Sequence, residues 1–255
     1  MKTASTNRAA NASFDATAEY AYEGGDLESL SVLRRYREWI VDYFVPFCTG
    51  TTVELGAGIG SISALLAPHI DRLDLVEPSP NLARRLGERF ASDARIAVHA
   101  GDLEGFAAAA DRRYDAVVMV NVLEHIKDDE AALARLFKLI RPGGHLMILV
   151  PALPWLYSRL DELVGHYRRY TRIELLDKVH GAGFAPVKSR YFDALGILPW
   201  LVLNTWWGAT EFNPTLASIY DRFFVPISRA LETVIVPPIG KNVILVARRP
   251  TDAEN

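Results

Sequence analysis

The chain has 255 residues, half of them hydrophobic, and a formal net charge of −3. That length accommodates one large domain, or a core domain that carries an insertion, and the hydrophobic content suffices for a sizeable core. Lysine and arginine are spread along the chain without a basic run, so the composition argues against a nucleic-acid partner.

The first residues, the apolar stretches and the cysteine content bear on location and on metal binding. The first twelve residues are polar and lack the apolar core of a signal peptide, so we expect a frayed tail. The apolar stretch 194–207 contains Pro199 and Asn204 and is too short to span a bilayer. Cys48 is the only cysteine, which excludes an internal disulfide and a cysteine-based zinc motif. We therefore expect a cytoplasmic protein with no integral membrane span and no metal site.

Strands and helices alternate after residue 50. The patterns predict strands at 51–55, 73–77, 95–99, 115–120, 145–150, 184–191 and 243–248, and helices at 61–67, 81–91, 128–140 and 172–181. Strands that are joined by helices pair in parallel through right-handed crossovers. The sequence therefore predicts an α/β fold with a doubly wound, Rossmann-like sheet of seven mostly parallel strands, whose ligands lie at the carboxyl ends of the strands.

These elements divide the chain into four predicted segments. They are a tail and helical cover at 1–50, a cofactor-binding α/β core at 51–191, a helical insertion at 192–241, and the final strand with a tail at 242–255. In the cover we expect a helix at 19–43 with Tyr20, Tyr22 and Tyr36 facing inward, either over the cofactor or in plain packing.

Three interpretations of the insertion stay open. It is too long and too apolar for a bare loop, and its tryptophans include Trp200, Trp206 and Trp207. It can cap the site and line an apolar or aromatic substrate pocket. It can instead form an accessory core or a homodimer contact, or touch a membrane surface peripherally through its tryptophans.

A glycine-rich turn is the strongest single signal. Gly56, Ala57, Gly58 and Gly60 follow the first predicted strand and lead into a helix. Glycine lets a backbone turn sharply and approach a ligand closely. The turn therefore predicts a nucleotide-type site, although a tight strand-to-helix turn without a ligand would have the same sequence.

Two acidic residues follow the next two predicted strands. Glu77 ends the second strand, where a carboxylate can accept both hydroxyls of a ribose. Asp102 follows the third strand, beside the expected place of an adenine ring, whose amino hydrogens it can accept. Each acid alone is typical of a solvated turn, but both together after a glycine turn favour an adenosine site.

The glycine spacing helps to choose between two cofactors. A dinucleotide fingerprint spaces its glycines G-x-G-x-x-G, whereas Ser61 stands here in the place of the third glycine. Glu54 lies two positions before the first glycine, where an acid would oppose a pyrophosphate. S-adenosylmethionine carries no phosphate and has an ammonium group, so it fits Glu54 better than NAD does.

Residues 51–151 resemble the core of the class I S-adenosylmethionine-dependent methyltransferases. The family's glycine motif matches 53–60, its two acids match Glu77 and Asp102, its fourth-strand motif matches 114–126, and its turn before the fifth strand matches 141–146. The resemblance implies that Gly56 and Ala57 meet the methionine part of the cofactor, and that the Asn121 carbonyl helps to hold its ammonium group. The candidate cofactor-binding residues are Glu54, Gly56, Ala57, Gly58, Glu77, Pro78, Asp102, Leu103, Asn121 and Leu123.

More loosely, the whole chain resembles bacterial methyltransferases that carry the segment found here at 165–171. Some of these are associated with glycan or natural-product pathways, which does not fix a substrate. The candidate catalytic residues are His125, His166 and Tyr167, and histidine takes a proton near neutral pH. The candidate substrate residues are Tyr22, Trp155, Tyr157, Arg168, Arg169, Tyr170, Trp200 and Trp207. The competing interpretation of the two arginines is a salt bridge to Asp161, Glu162 or Glu174. The competing interpretation of the two histidines is a structural role.

Four functions stay open at this level. The first is methyl transfer to a small, apolar or aromatic acceptor, and the second is methyl transfer to a glycan or lipid-linked sugar. The third is an NAD or nucleotide-sugar oxidoreductase, and the fourth is a non-catalytic partner protein that binds S-adenosylmethionine. Because that cofactor itself supplies the reactive group, the fold predicts the reaction and leaves the acceptor open.

Overall fold

The computed structural model describes residues 32–209 and 213–251. Its strands are Thr51–Leu55 (β1), Arg72–Glu77 (β2), Ile96–Ala100 (β3), Tyr114–Val120 (β4), Ile140–Pro151 (β5), Ala185–Phe192 (β6) and Asn242–Arg248 (β7). They form one sheet in the order β3-β2-β1-β4-β5-β7-β6. The first five strands pair in parallel, and β7 runs antiparallel between β5 and β6. The predicted doubly wound, mostly parallel sheet of seven strands is confirmed.

Helices pack on both faces of the sheet. They are α1 (Arg34–Phe44), α2 (Ser63–Leu66), α3 (Pro80–Phe90), α4 (Leu103–Ala109), α5 (Asp129–Leu139), α6 (Arg159–Leu163), α7 (Arg172–Gly181), α8 (Ile197–Trp200), α9 (Pro214–Ile219) and α10 (Val225–Val234). π-helical turns at Leu201–Trp206 and Tyr220–Phe224 extend α8 and join α9 to α10. None of these helices has both the length and the apolar character that crossing a membrane requires.

Two apolar layers hold the sheet between the helices. Side chains alternate along each strand, so in β4 Val117 and Met119 face one layer while Ala116 and Val118 face the other. The first layer packs against α5 and α7, and the second against α1 and α2. Cys48 is buried in the second layer, as expected for a small apolar side chain. Such burial on both faces explains why the strands read as continuous apolar runs.

Several predicted boundaries move in the structure. The helix expected at 61–67 is Ser63–Leu66 followed by a 3-10 turn at Ala67–His69, because Pro68 fits the start of such a turn. Helix α4 was not predicted, although Asp102 caps it and it is rich in alanine. The strand expected at 145–150 begins at Ile140, directly after α5.

The helix predicted at 19–43 lies partly outside the described residues, as do Tyr20 and Tyr22. Within the described residues it corresponds to α1, Arg34–Phe44. Tyr36 does face inward: its ring centroid lies 5.8 Å from that of Phe192, and its hydroxyl lies 3.0 Å from Oδ1 of Asn242. Tyr36 therefore packs at the β6–β7 side of the sheet, which matches the plain-packing interpretation.

The insertion is helical and is tied to the core by buried acidic side chains. Asp221 accepts hydrogen bonds from the backbone N–H groups of Arg35 and Tyr36 at 3.1 and 2.9 Å, and so satisfies free donors at the start of α1. Glu232 accepts from the Ala194 N–H at 2.9 Å and pairs with Arg190. The insertion is therefore an integral part of the fold, and removing it would also disturb α1.

Candidate active site

The carboxyl ends of β1, β2, β3 and β4 form one edge of the sheet. β1 lies between β2 and β4, so the connections from the sheet centre leave in opposite directions at this point. Ligands of doubly wound folds bind in the crevice that this reversal opens. Gly56, Glu77, Gly101 and Asn121 each come directly at or after the end of one of these strands.

The glycine turn after β1 packs against the chain that follows β4. Gly56, Gly58 and Gly60 all have positive φ, at 67°, 56° and 78°, a region that side chains rarely adopt. The N–H groups of Gly56 and Ala57 donate to the Val76 carbonyl at 2.8 and 3.1 Å. A Cβ on Gly56 would lie 2.5 Å from Cγ2 of Val122. The local backbone therefore requires glycine at position 56.

Glu77 is buried at the end of β2 and braces this turn. Its Oε2 accepts from the Gly58 N–H at 2.8 Å, and its Oε1 accepts from the Ser79 N–H at 2.9 Å. Burial raises the pKa of its carboxyl, and the hydrogen bonds from Ser79 and Gly58 oppose that shift. Each oxygen keeps a further lone pair, so the carboxylate can still accept two hydroxyls.

Glu54 is a buried acid whose Oε2 lacks a partner. Its residue is 2% exposed, and Oε2 has no hydrogen bond to any described residue. Burial raises the pKa of the Glu54 carboxyl to about 8; the Ser63 hydroxyl opposes that shift and the nearby Glu77 adds to it. An unpaired buried oxygen is costly, and a cationic ligand group would satisfy it.

Asp102 and Asn121 mark the two sides of the crevice. Asp102 is exposed, and its Oδ1 accepts from the Gly105 N–H at 2.8 Å as the cap of α4. Asn121 has a left-handed φ of 53° and donates its N–H to the Leu149 carbonyl at 2.8 Å. Non-glycine residues rarely hold this conformation, and they cluster at functional sites.

The remaining predicted cofactor residues lie along the same edge. Pro78 follows Glu77 and is half-buried, whereas Leu103 packs partly buried against the first apolar layer. Leu123 is fully buried in that layer. It can therefore shape the crevice wall but lies mostly within the core.

Two histidines meet beyond the end of β4. His125 lies in the 3-10 turn Leu123–His125, and its ring centroid lies 4.6 Å from that of His166. Nδ1 of His166 lies 2.8 Å from Oδ1 of Asp161. A carboxylate only accepts, so this contact places the proton of a neutral imidazole on Nδ1 and leaves the Nε2 lone pair for another group.

Glu124 lies beneath these histidines, and the sequence analysis assigned it no role. Its residue is fully buried, and neither carboxylate oxygen has a hydrogen-bond partner within residues 32–209 and 213–251. Burial raises the pKa of the Glu124 carboxyl to about 8, against the opposing effects of its own backbone N–H and of the Arg169 charge. Its Oε1 lies 3.8 Å from Nε2 of His166. In the sequence, the glutamate that directly precedes a histidine after a buried strand could have marked this position as a candidate site residue.

The three polar residues 168–170 differ from their predicted role. Arg169 is buried and binds Asp161 with two N–H groups at 2.9 and 3.1 Å, which is the salt bridge named as the competing interpretation. Arg168 pairs with Asp129 at 2.7 Å. Tyr170 is fully buried, and its hydroxyl donates to the same Asp129 at 2.9 Å. Because their polar groups are occupied within the protein, we correct their assignment from substrate binding to support of the site.

The predicted aromatic residues do not form one closed pocket. The Tyr157 hydroxyl donates to the His166 carbonyl at 2.6 Å. The Trp200 ring N–H donates to the Leu156 carbonyl at 3.1 Å, and the Arg169 guanidinium lies over the Trp200 ring. Trp155 and Tyr167, which follows His166 in the sequence, are each 55% exposed. Trp207 is 77% exposed and so lines no enclosed cavity, while Tyr22 lies outside the described residues.

The residues present fit an adenosyl sulfonium cofactor. The unpaired Glu54 oxygen can receive an ammonium group, and Glu77 has lone pairs left for a ribose. Gly56 lies so close to Val122 that no side chain fits between the turn and the segment after β4. A pyrophosphate would instead meet two buried acids at this turn.

The chain resembles known proteins in sequence. A family model described as a methyltransferase domain matches residues 31–189. An uncharacterized methyltransferase of Mycobacterium tuberculosis is 33% identical over 126 residues, which cover 49% of this chain and 63% of the relative. A ubiquinone biosynthesis O-methyltransferase of Aromatoleum aromaticum is 29% identical over 136 residues, which cover 52% of this chain and 54% of the relative. The matches thus span between half and two thirds of these relatives.

Solved structures share the fold. The N-methyltransferase NodS of Bradyrhizobium japonicum superposes with a TM-score of 0.56 at 15% identity, covering 86% of this chain and 97% of that chain. A chain of the complex between a methyltransferase activator and a methyltransferase of Haloferax volcanii gives a TM-score of 0.60 at 15% identity. The superposition covers 89% of this chain and 96% of that chain. At such identities the likeness shows the architecture alone.

The family match covers more than half of the chain, and it contains the glycine turn, the two strand-end acids and the five parallel strands β1 to β5. The expected cofactor is confirmed with the family. The chain belongs to the class I S-adenosylmethionine-dependent methyltransferases, the family whose cofactor is S-adenosylmethionine.

Proposed function

We propose that the protein transfers a methyl group from S-adenosylmethionine to a small, apolar or aromatic acceptor. The observation that carries this proposal is the imidazole pair of His125 and His166 beyond β4, next to the cofactor edge. The cofactor supplies the methyl group on its sulfonium sulfur. The chain's own residues bind the cofactor, align the acceptor and receive its proton.

In this proposal the cofactor lies across the carboxyl ends of β1 to β4. Glu77 accepts the ribose hydroxyls and Asp102 the adenine amino group, while Pro78 and Leu103 flank the ring. The Gly56–Gly58 turn, Glu54 and the Asn121 carbonyl hold the methionine part. The cofactor-binding unit is then the predicted core at 51–191 together with β7.

His166 is the proposed proton acceptor. Asp161 orients its ring through Nδ1, and the Arg169 guanidinium holds Asp161 in turn. Burial alone would raise the pKa of Asp161, but the hydrogen bond from His166 and the charge of Arg169 outweigh burial and hold this pKa below its ordinary value. Asp161 therefore stays ionised near neutral pH and fixes the ring. Tyr167 and Trp155, both exposed, are the proposed acceptor contacts.

Cofactor binding is expected to release a proton at Glu54. Burial raises the pKa of this carboxyl to about 8, so without a cationic partner it is mostly neutral near pH 7. An ammonium group favours the ionised form, and binding should therefore expel up to one proton per chain near pH 7. Calorimetry of S-adenosylmethionine in buffers of different ionisation enthalpy measures this release. Glu54→Gln should release less, and an unchanged proton count in that variant would contradict the assignment.

The same raised pKa gives the sign of a stability effect. Glu54 has an ordinary pKa near 4.5 in the unfolded chain and about 8 in the folded chain. The folded state holds the proton more tightly, so this group lowers stability progressively as pH rises from 4.5 towards 8. Because the ammonium group of bound cofactor favours the ionised carboxylate, cofactor binding should remove this loss of folding stability.

A second candidate acceptor is a glycan or lipid-linked sugar, and the surface of the insertion favours it. Trp206, Trp207, Phe223 and Val234 are exposed at 68, 77, 55 and 85%. Large exposed apolar patches mark partner, membrane or lipid contacts. A homodimer contact would use the same surface.

Methyl transfer from labelled S-adenosylmethionine to an extract of the source organism tests the proposed function. We expect label in a small organic-soluble product, with or without lipid present. Label in lipid-linked material, lost on Trp206→Ala with Trp207→Ala, would favour the second candidate. An absence of labelled product in extracts, despite cofactor binding, would support a non-catalytic partner protein and contradict the proposal.

A further inference from the structure

Glu124, His125 and His166 form a cluster whose chemistry goes beyond proton transfer. Each offers one ligand atom, and these atoms lie within 4.8 Å of one another. Two residues come from the turn after β4, and His166 comes from the segment after α6. No metal site was expected from the sequence, in which His166 lies far from the adjacent Glu124 and His125.

The Glu124 carboxylate is the unexplained part of the cluster. It is fully buried, and both of its oxygens lack hydrogen-bond partners among the described residues. A neutral carboxyl would not resolve this, because its O–H would then be a buried donor without an acceptor. Burying either form unpaired is unfavourable, so the site favours an additional group that the carboxylate can bind.

The arrangement of His166 favours a cation in that place. Nε2 of His166 lies 3.8 Å from Oε1 of Glu124, which is too long for a hydrogen bond. Two ligands of one cation, each bonded at about 2.1 Å, lie roughly 3–4 Å apart. On its other side His166 contacts Asp161 through Nδ1 at 2.8 Å. Metal-bound histidines commonly donate their second N–H to a carboxylate in this way.

We propose that Glu124, His125 and His166 bind a divalent transition cation, with Asp161 as the positioning residue for His166. Two imidazoles and one carboxylate favour zinc and its neighbours over magnesium or calcium, which prefer oxygen ligands. Three protein ligands leave at least one coordination position open. His125 is exposed, so the open side faces solvent.

The consequence for the acceptor rests on the proposed function. A cation at this place lies on the acceptor side of the cofactor edge, where its open position would bind an acceptor hydroxyl and lower the pKa of that hydroxyl. His166 would then be a ligand and could not take the acceptor's proton through Nε2. The two uses of His166 exclude each other, and metal binding decides between them.

Zinc titration of the untagged full chain without cofactor tests the site. After removal of metal by a chelator, we expect one Zn²⁺ per chain in competition with a chromophoric chelator, and visible absorption after loading with Co²⁺. Glu124→Gln and His125→Ala should each weaken Zn²⁺ binding about tenfold or more. His180→Ala, a histidine exposed in the last turn of α7, is the matched control and should bind as the unmodified chain does.

The outcomes separate this site from the proposed function. Equal Zn²⁺ affinity in the unmodified chain and both cluster variants would overturn the site, as would an equal loss in His180→Ala. His125 is exposed, so His125→Ala should fold even if Glu124→Gln does not. Binding of S-adenosylhomocysteine, measured in the same samples, reports the cofactor site independently. If the unmodified chain binds Zn²⁺ but transfers no methyl group, that result would count against the acceptor proposal alone.

Discussion

Gly56→Ala is expected to destabilise the chain and to remove measurable binding of S-adenosylhomocysteine. The new Cβ would lie 2.5 Å from Val122, at a backbone φ of 67° that alanine adopts with strain. Left-handed strain and overpacking together give a loss of about 2–4 kcal/mol in the free energy of unfolding. Because relief requires the turn to move away from β4, the cofactor crevice should lose its shape. Urea denaturation and calorimetry measure the two effects.

Gly87→Ala is the matched control for this substitution. Gly87 lies inside α3, and a Cβ there would meet nothing within 4 Å. Alanine favours helix over glycine, so we expect a gain of about 0.5–1 kcal/mol and unchanged cofactor affinity. Wild-type affinity in Gly56→Ala would mean that the turn after β1 does not contact the cofactor.

Asp161→Asn is expected to have the largest effect outside the cofactor crevice. Asp161 is fully buried and accepts hydrogen bonds from Ser158, His166 and Arg169. The substitution would leave the buried Arg169 charge without its counter-ion, and breaking such a pair costs about 3–5 kcal/mol. The free energy of unfolding from urea denaturation measures the loss. Glu88→Gln, whose partner Arg84 is also exposed, should show no measurable change.

The pH dependence of this effect has a fixed sign. The native contacts hold the pKa of Asp161 below its ordinary value of 3.8. The stabilisation is therefore present above about pH 4 and is lost as pH falls through the lowered native pKa. Asp161→Asn should flatten this part of the stability curve. A loss below about 1 kcal/mol near neutral pH, close to that of an exposed pair, would contradict the network.

The cofactor edge was predictable from the sequence because its signals are local. Gly56, Gly58 and Gly60 need positive φ, and glycine spacing after an apolar run records that need directly. Glu77 stands at a strand end that hydrophobic patterning locates. The carboxyl ends of parallel strands meet at one edge of the sheet, so these acids could be placed at that edge without knowledge of the strand order.

The acceptor side was less predictable because its contacts join distant segments. Arg168 and Arg169 are adjacent in sequence, yet their partners Asp129 and Asp161 lie on different helices. Their charges alone could not distinguish internal ion pairs from substrate contacts. Glu124 was missed since its importance lies in being buried beneath His166, which only the tertiary structure shows.

Titration of S-adenosylhomocysteine into the unmodified chain, Glu77→Ala and Asp102→Ala tests the placement of the cofactor most directly. We expect one bound molecule per chain, and in each variant a loss of about 1–3 kcal/mol in binding free energy through lost hydrogen bonds. Glu88→Gln, an exposed acid on α3, should bind as the unmodified chain does. Unchanged affinity in both Glu77→Ala and Asp102→Ala would contradict a cofactor held across the ends of β2 and β3.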